Sequence, residues 1–176
     1  MKSNNIKARI REYFFLNPTA RLRVRQIEKA VKVPLPSAIR YAKELEKEGL
    51  LKSGIIAGAN LYSADRSSKN FIVEKMLFNI RQMHESGLVT HLVEEYNNPA
   101  IVLFGSYARG EDIETSDIDI YIETSRKEII IGAEFEKKLQ RAVQAFTYKS
   151  IKDIKNRGLA NNIVNGVRLN GNLEVI

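Results

Sequence analysis

Two apolar segments, each bordered by polar residues, constrain this chain more than any other feature. Residues 100–104 read AIVLF and run directly into Gly105 and Ser106, and residues 116–122 read SDIDIYI. The unbroken apolar run predicts a buried strand, and the alternating run predicts a second strand. The chain therefore places a glycine-serine turn close to an acidic strand.

The acidic strand carries Asp117 and Asp119 two residues apart. Strand side chains alternate between faces, so both carboxylates should point to one side. The intervening residues should point into a core: Ile118, Ile120 and Ile122. Adjacent carboxylates repel each other unless a cation lies between them. A cation site next to a turn that can approach phosphate is typical of phosphoryl or nucleotidyl transfer.

The composition sets outer limits on the protein class. The 176 residues allow one ordinary domain or two small ones, and a 44% hydrophobic content is enough for a folded core. The sequence has no cysteine, which excludes disulfides and thiolate metal sites. It shows neither a signal peptide nor the roughly 20 apolar residues of a membrane span. We expect a soluble, cytoplasmic protein without a membrane partner.

The positive charge is concentrated at the start of the chain. Residues 1–66 hold 14 Lys and Arg against 6 Asp and Glu, whereas residues 67–176 hold 14 against 15. This asymmetry indicates a basic module for nucleic acid joined to a nearly neutral one. A solubilising face is the alternative explanation of the charge.

Apolar spacing predicts three helices and a hairpin within residues 4–66. The helices end near Asn17, near Val31 and at Gly49, and Ala38, Ile39, Ala42 and Leu45 form the apolar stripe of the third. Residues 50–53 and 59–63 are β-rich, with Gly54 and Gly58 flanking the turn between them. This order resembles the winged helix-turn-helix domain of small prokaryotic regulators.

That resemblance implies DNA binding through the third helix. Ser37, Arg40 and Tyr41 would meet base edges, and Lys43 and Lys52 would lie near phosphates. A winged helix used for protein contacts or dimerisation is the alternative.

The remaining elements follow from the same patterns. Helices are predicted over residues 71–84, 88–96, 127–142 and about 151–164, strands over 100–104, 117–123 and 143–148, and an extended end over 167–175. We therefore divide the chain into residues 1–66, a connecting helix at 67–84, and residues 85–176. The connecting helix is a candidate seam of a homodimer.

The GSYARG and SDIDIYIE segments resemble the nucleotidyltransferase superfamily of DNA polymerase β, and most closely its minimal nucleotidyltransferases. The family signature is Gly-Ser, ten residues, then Asp-x-Asp, which matches Gly105, Ser106, Asp117 and Asp119. The resemblance covers about residues 85–176. It implies an α/β (α+β) domain in which helices flank a mixed β-sheet.

The resemblance also implies roles for these residues. Gly105, Ser106 and Arg109 would bind the phosphates of an NTP, and Asp117 and Asp119 would be the catalytic ligands of Mg²⁺ or Mn²⁺. An ion pair with Glu111 or Asp112 is an equally open role for Arg109. The acidic residues of this turn are otherwise expected to be solvated: Glu111, Asp112 and Glu114.

One position departs from the family pattern. Members with three carboxylates carry the third on the next strand, where this chain has Gln144. Glutamine cannot act as a general base and is a poor Mg²⁺ ligand. Asp153 or Glu174 could substitute, although the sequence does not bring either to the site.

Three functions remain open at this point. The chain is an enzyme that transfers an NMP to a hydroxyl of a protein, nucleic acid or small molecule. Alternatively, it is a DNA-binding regulator whose transferase domain is weak or silent because of Gln144. Minimal nucleotidyltransferases also act as antitoxins, so a toxin partner is the third possibility.

Overall fold

The computed structural model describes residues 5–126 and 129–175. The chain forms two compact units, the first ending at Phe78 and the second beginning at Asn79. The boundary lies within one helix, α4 (Lys69–Glu85). Among the described residues, no helix is both long and apolar enough to cross a membrane.

From residue 5 to Ala64 the first unit forms three short helices and a three-stranded sheet, and the start of α4 follows at Lys69. Its elements are α1 (Ile6–Leu16), β1 (Arg21–Leu22), α2 (Val24–Val31), α3 (Leu35–Lys47), β2 (Leu51–Ile56) and β3 (Ala59–Ala64). Strand β3 is central and antiparallel to both neighbours. Apolar residues at helical spacing fill the core, including Ile10, Phe14, Ile27 and Leu45. The predicted three helices and hairpin are therefore present.

Two details of the first unit differ from the prediction. Ile39, predicted to lie in the apolar stripe of α3, is 40% exposed. The buried stripe of the helix consists of Ala38, Ala42 and Leu45. Gly54 does not flank the turn but lies inside β2, where it pairs with Leu61. The turn is made by Ala57 and Gly58, both of which have positive φ.

The second unit is built on a mixed four-stranded sheet. After α4 come α5 (Leu88–Glu95), β4 (Ile101–Phe104), α6 (Gly105–Arg109), β5 (Ile118–Glu123), α7 (Ala133–Leu139), β6 (Val143–Tyr148), α8 (Arg157–Val164) and β7 (Val167–Asn170). The strand order is β6-β5-β4-β7, with β5 parallel to β6 and the other pairs antiparallel. Helices and a mixed sheet confirm the expected α+β class for this part of the chain.

Two predicted helices of the second unit are too long. Of the helix predicted over 127–142, the described residues form α7 alone, which ends where Gln140 adopts the left-handed conformation. Lys127 and Glu128 lie outside the described residues. The helix predicted over 151–164 is a 3₁₀ turn, Ile151–Asp153, followed by α8. Asn156 separates them, because its side chain accepts a 3.1 Å hydrogen bond from the Leu159 amide and caps α8.

The two faces of the sheet have different environments. Ile118, Ile120 and Ile122 are fully buried in one apolar cluster, as predicted. Tyr121 belongs to a second cluster on the opposite face, with Phe104 and Ile151. Because side chains alternate along β5, Asp119 shares the face of Tyr121.

Candidate active site

The glycine-serine turn lies at the end of β4. Gly105 has a φ of +76°, and Gly110 closes the single-turn helix α6 with a φ of +70°. A Cβ at Gly105 would lie 3.2 Å from Cγ of Asp119 and collide with its Oδ2. Glycine is therefore required at this position both by its backbone conformation and by the carboxylate packed against it. The structure thus brings Gly105 and Asp119 together.

The two aspartates of the acidic segment differ in exposure. Asp117 is exposed and immediately precedes β5, whereas Asp119 is half-buried within the strand. Burial raises the pKa of Asp119 above its usual 3.8, and the negative charge of Asp117 raises it further. The charge of Asp117 therefore acts on the Asp119 carboxylate.

The arrangement fits a hard divalent cation. Both side chains offer only oxygen ligands, which Mg²⁺ and Mn²⁺ prefer. A cation would offset the burial and the Asp117 charge that together raise the pKa of Asp119. Within residues 5–126 and 129–175, no three His, Cys, Asp or Glu residues are grouped to hold a metal. Magnesium commonly binds through one or two carboxylates, with waters and substrate phosphates completing the shell.

Gln144 lies directly beside Asp119 in the sheet. The two residues are register partners of the parallel pair β5–β6, and Gln144 is exposed. An amide, not a third carboxylate, therefore borders Asp119. The two possible substitutes have other contacts: Asp153 accepts a 3.1 Å hydrogen bond from the Ser150 amide, and Glu174 lies 3.9 Å from Lys152.

Arg109 and Ser106 are on α6. Ser106 is half-buried at the start of the helix, next to Gly105. Arg109 is exposed and forms an ion pair with Glu111, whose Oε2 lies 2.8 Å from its Nε. The ion-pair alternative for Arg109 is therefore present, with Glu111 as its partner.

The expectation that Asp112 is solvated is wrong. Its side chain is buried, accepts a 2.8 Å hydrogen bond from Nδ2 of Asn79, and lies 3.8 Å from Arg141. Asn79, Asp112 and Arg141 form a buried polar cluster next to α6. No sequence pattern predicts this cluster, because the three residues are far apart along the chain.

The first unit displays the five residues proposed for nucleic-acid contact on α3 and β2. Arg40, Lys43 and Lys52 are exposed, and Ser37 and Tyr41 are half-buried. The Arg40 guanidinium stacks 4.3 Å from the centre of the Tyr41 ring and donates a hydrogen bond to its hydroxyl. Arg40 also lies 3.7 Å from Glu44, and Lys52 lies 3.4 Å from Asp65.

Comparison with known proteins gives one family match, which lies in the second unit, and several similar curated proteins. Residues 86–169, which contain both the turn and the acidic strand, match the model of the nucleotidyltransferase domain. The chain is also similar to curated proteins of Methanocaldococcus jannaschii, each described as a "putative protein adenylyltransferase". No solved structure matches the chain.

The similarity to these relatives is local. One is 42% identical over 67 residues, which cover 34% of this chain and 67% of the relative. A second is 62% identical over 32 residues, which cover 18% of this chain and 37% of the relative. A third is 59% identical over 32 residues, which cover 18% of this chain and 33% of the relative. The chain thus spans between one third and two thirds of the length of these relatives.

Proposed function

Because this chain belongs to the nucleotidyltransferase family, we propose that it transfers the NMP group of an NTP to a hydroxyl group, with ATP as donor and a protein as acceptor. The observation that carries the proposal is the packing of the Asp119 carboxylate against Gly105, beside Asp117. The choice of ATP and of a protein acceptor rests on the descriptions of the relatives.

In the proposed reaction the acceptor hydroxyl oxygen bonds to the α-phosphorus of the NTP. The bond from that phosphorus to the bridging oxygen breaks, pyrophosphate leaves with the electron pair, and the hydroxyl proton passes to water. Asp117 and Asp119 hold Mg²⁺ or Mn²⁺, which when bound neutralises charge on the phosphates. The missing side chain of Gly105 makes room for the Asp119 carboxylate while its backbone contacts the phosphates, and Ser106 and Arg109 donate hydrogen bonds to the phosphates.

The proposal also gives a role to the first unit. Three helices, the hairpin β2–β3 and the positive charge of residues 1–66 support a winged helix-turn-helix that binds DNA. Ser37, Arg40 and Tyr41 contact bases, and Lys43 and Lys52 contact phosphates. The enzyme is then tethered to DNA. Dimerisation through α4 would present two such units to two half-sites.

One observation favours a second candidate function. Gln144 beside Asp119 cannot act as a general base, so the site could bind nucleotide without transferring it. The protein would then be a DNA-binding regulator, or an antitoxin that acts by binding a toxin rather than by modifying it.

The two candidates are separated by one experiment. The purified protein is incubated with Mg²⁺ and each α-labelled NTP in turn, alone and with cell extract, beside Asp117→Asn/Asp119→Asn. Transfer of label from ATP to protein by the wild type alone supports the enzyme. Binding of nucleotide without transfer from any NTP supports the silent site.

A further inference from the structure

The Asn79 side chain is buried and forms hydrogen bonds with α6 and with the loop that follows it. It is 2% exposed, and its Nδ2 donates one hydrogen bond to the Tyr107 carbonyl and one to Oδ1 of Asp112, both 2.8 Å long. Both amide hydrogens are therefore used. A buried amide with both donors satisfied holds its neighbours in one geometry.

The two acceptors lie on the segment that joins Ser106 to Asp117. The Tyr107 carbonyl belongs to α6 itself, and Asp112 follows the end of the helix at Gly110. A 3.0 Å hydrogen bond from the Glu111 amide to the Ser106 carbonyl also closes the end of α6. Asn79 thus holds both the helix and the loop that leaves it.

The charge of Asp112 is compensated on its other side. Its Oδ2 lies 3.8 Å from Nη2 of Arg141, whose Nη1 donates a 2.8 Å hydrogen bond to the Gln140 carbonyl. Both partners of this ion pair are buried. Removal of the Asn79 amide would leave a buried carboxylate with one fewer donor, which is costly.

We propose that Asn79 is a positioning residue for nucleotide binding, an inference that rests on the proposed function. Asn79 acts through the Tyr107 carbonyl and Asp112, which hold α6 so that Gly105 stays packed against Asp119 and Ser106 stays at the start of the helix. It touches neither nucleotide nor cation. Its loss should loosen α6 and weaken NTP binding in protein that is still folded.

The chain offers a matched control in Asn170 on β7. Its Nδ2 also donates one bond to a backbone carbonyl, that of Pro99, and one to a side chain, that of Asn98, at 2.7 and 2.9 Å. Asn170 pairs with Ile101, at the end of β4 opposite to Gly105. Asn170→Ala therefore removes one side-chain-to-backbone and one side-chain-to-side-chain hydrogen bond at a site distant from α6.

The affinity for Mg²⁺-ATP is measured by titration calorimetry on the full chain. We expect Asn79→Ala to bind about tenfold more weakly than the wild type, and Asn170→Ala within about twofold. Equal affinity of folded Asn79→Ala and wild type would overturn the inference and leave the proposed function intact.

Hydrogen exchange without nucleotide tests the positioning role independently of binding. The amides of Gly110 and Glu111 should exchange about tenfold faster in Asn79→Ala and at the wild-type rate in Asn170→Ala. If the wild type binds no nucleotide, the proposed function fails. If the Gly110 and Glu111 amides also exchange at the wild-type rate in Asn79→Ala, the positioning role is overturned as well. If Asn79→Ala does not fold, the positioning role is tested on the wild type instead. The side-chain amide of Asn79 should then exchange at least about tenfold more slowly than that of exposed Asn162. Equal exchange rates of the two side chains would overturn the positioning role.

Discussion

The Asp119 carboxylate lies against the α-carbon of Gly105, so closely that a Cβ there would collide with Oδ2 and lie 3.2 Å from Cγ. This contact joins the glycine-serine turn to the acidic strand. It is possible because β4 and β5 are paired, with Phe104 opposite Asp119. The relative position of the proposed phosphate ligands and the proposed cation ligands therefore depends on the close approach of Gly105 and the Asp119 carboxylate.

Gly105→Ala should abolish this approach. The added Cβ displaces the Asp119 side chain, and the φ of +76° is strained for alanine, so we expect a loss of about 1–3 kcal/mol in unfolding free energy and weak nucleotide binding. Gly58→Ala is the control, because Gly58 has a φ of +72° with nothing within 4 Å of the added Cβ. Denaturant unfolding and Mg²⁺-ATP titration measure both effects. Unchanged nucleotide affinity in Gly105→Ala would contradict the site.

Asp119 should give the stability a defined pH dependence. Because its folded pKa is raised above 3.8, the folded state binds more protons than the unfolded state between the two values. The Asp119 contribution to the unfolding free energy is therefore present at low pH and lost as pH rises through the raised pKa. In urea unfolding from about pH 3 to about pH 7, the unfolding free energy of the wild type should fall relative to that of Asp119→Asn. A rise of the wild-type value relative to that of Asp119→Asn would contradict this assignment.

Gln144→Asp should increase the transfer rate. Residue 144 is the register partner of Asp119, so a carboxylate there would stand beside the proposed cation ligands and could accept the acceptor's proton. We expect a gain of about tenfold or more in steady-state label transfer. Gln140→Asp, at an exposed position in the left-handed conformation that aspartate tolerates, should leave the rate unchanged. A fall in rate for Gln144→Asp would show that position 144 does not serve as the third carboxylate position.

Arg40→Ala should weaken DNA binding without affecting nucleotide transfer. Loss of the proposed base contact of Arg40 should reduce the affinity for DNA. Arg126→Ala is matched, since Arg126 also stacks on a tyrosine, Tyr96 at 5.0 Å, and pairs with a glutamate, Glu95 at 2.9 Å. Fluorescence anisotropy with duplex DNA at several salt concentrations makes the measurement. Equal affinities of Arg40→Ala and Arg126→Ala would count against α3 as the contact helix.

The strands of the site were predictable because their apolar patterns are unambiguous. Residues 100–104 and 117–123 could be assigned from an unbroken run and an alternation, and Ile118, Ile120 and Ile122 are buried as expected. The length of the helix over 151–164 was not predictable from apolar spacing, because the Asn156 cap interrupts it. The burial of Asp112 depends on Asn79 and Arg141, which are distant in sequence, so only the tertiary structure reveals it.

The central claim is that Asp117 and Asp119 support nucleotidyl transfer, and pyrophosphate release tests it most directly. Purified wild type, Asp117→Asn/Asp119→Asn and the exposed-carboxylate control Glu95→Gln are incubated with Mg²⁺ and ATP in the presence of cell extract. We expect the wild type and Glu95→Gln to release pyrophosphate in proportion to the AMP transferred, and the double variant to be at least about 100-fold slower. A double variant as fast as the wild type would contradict the account.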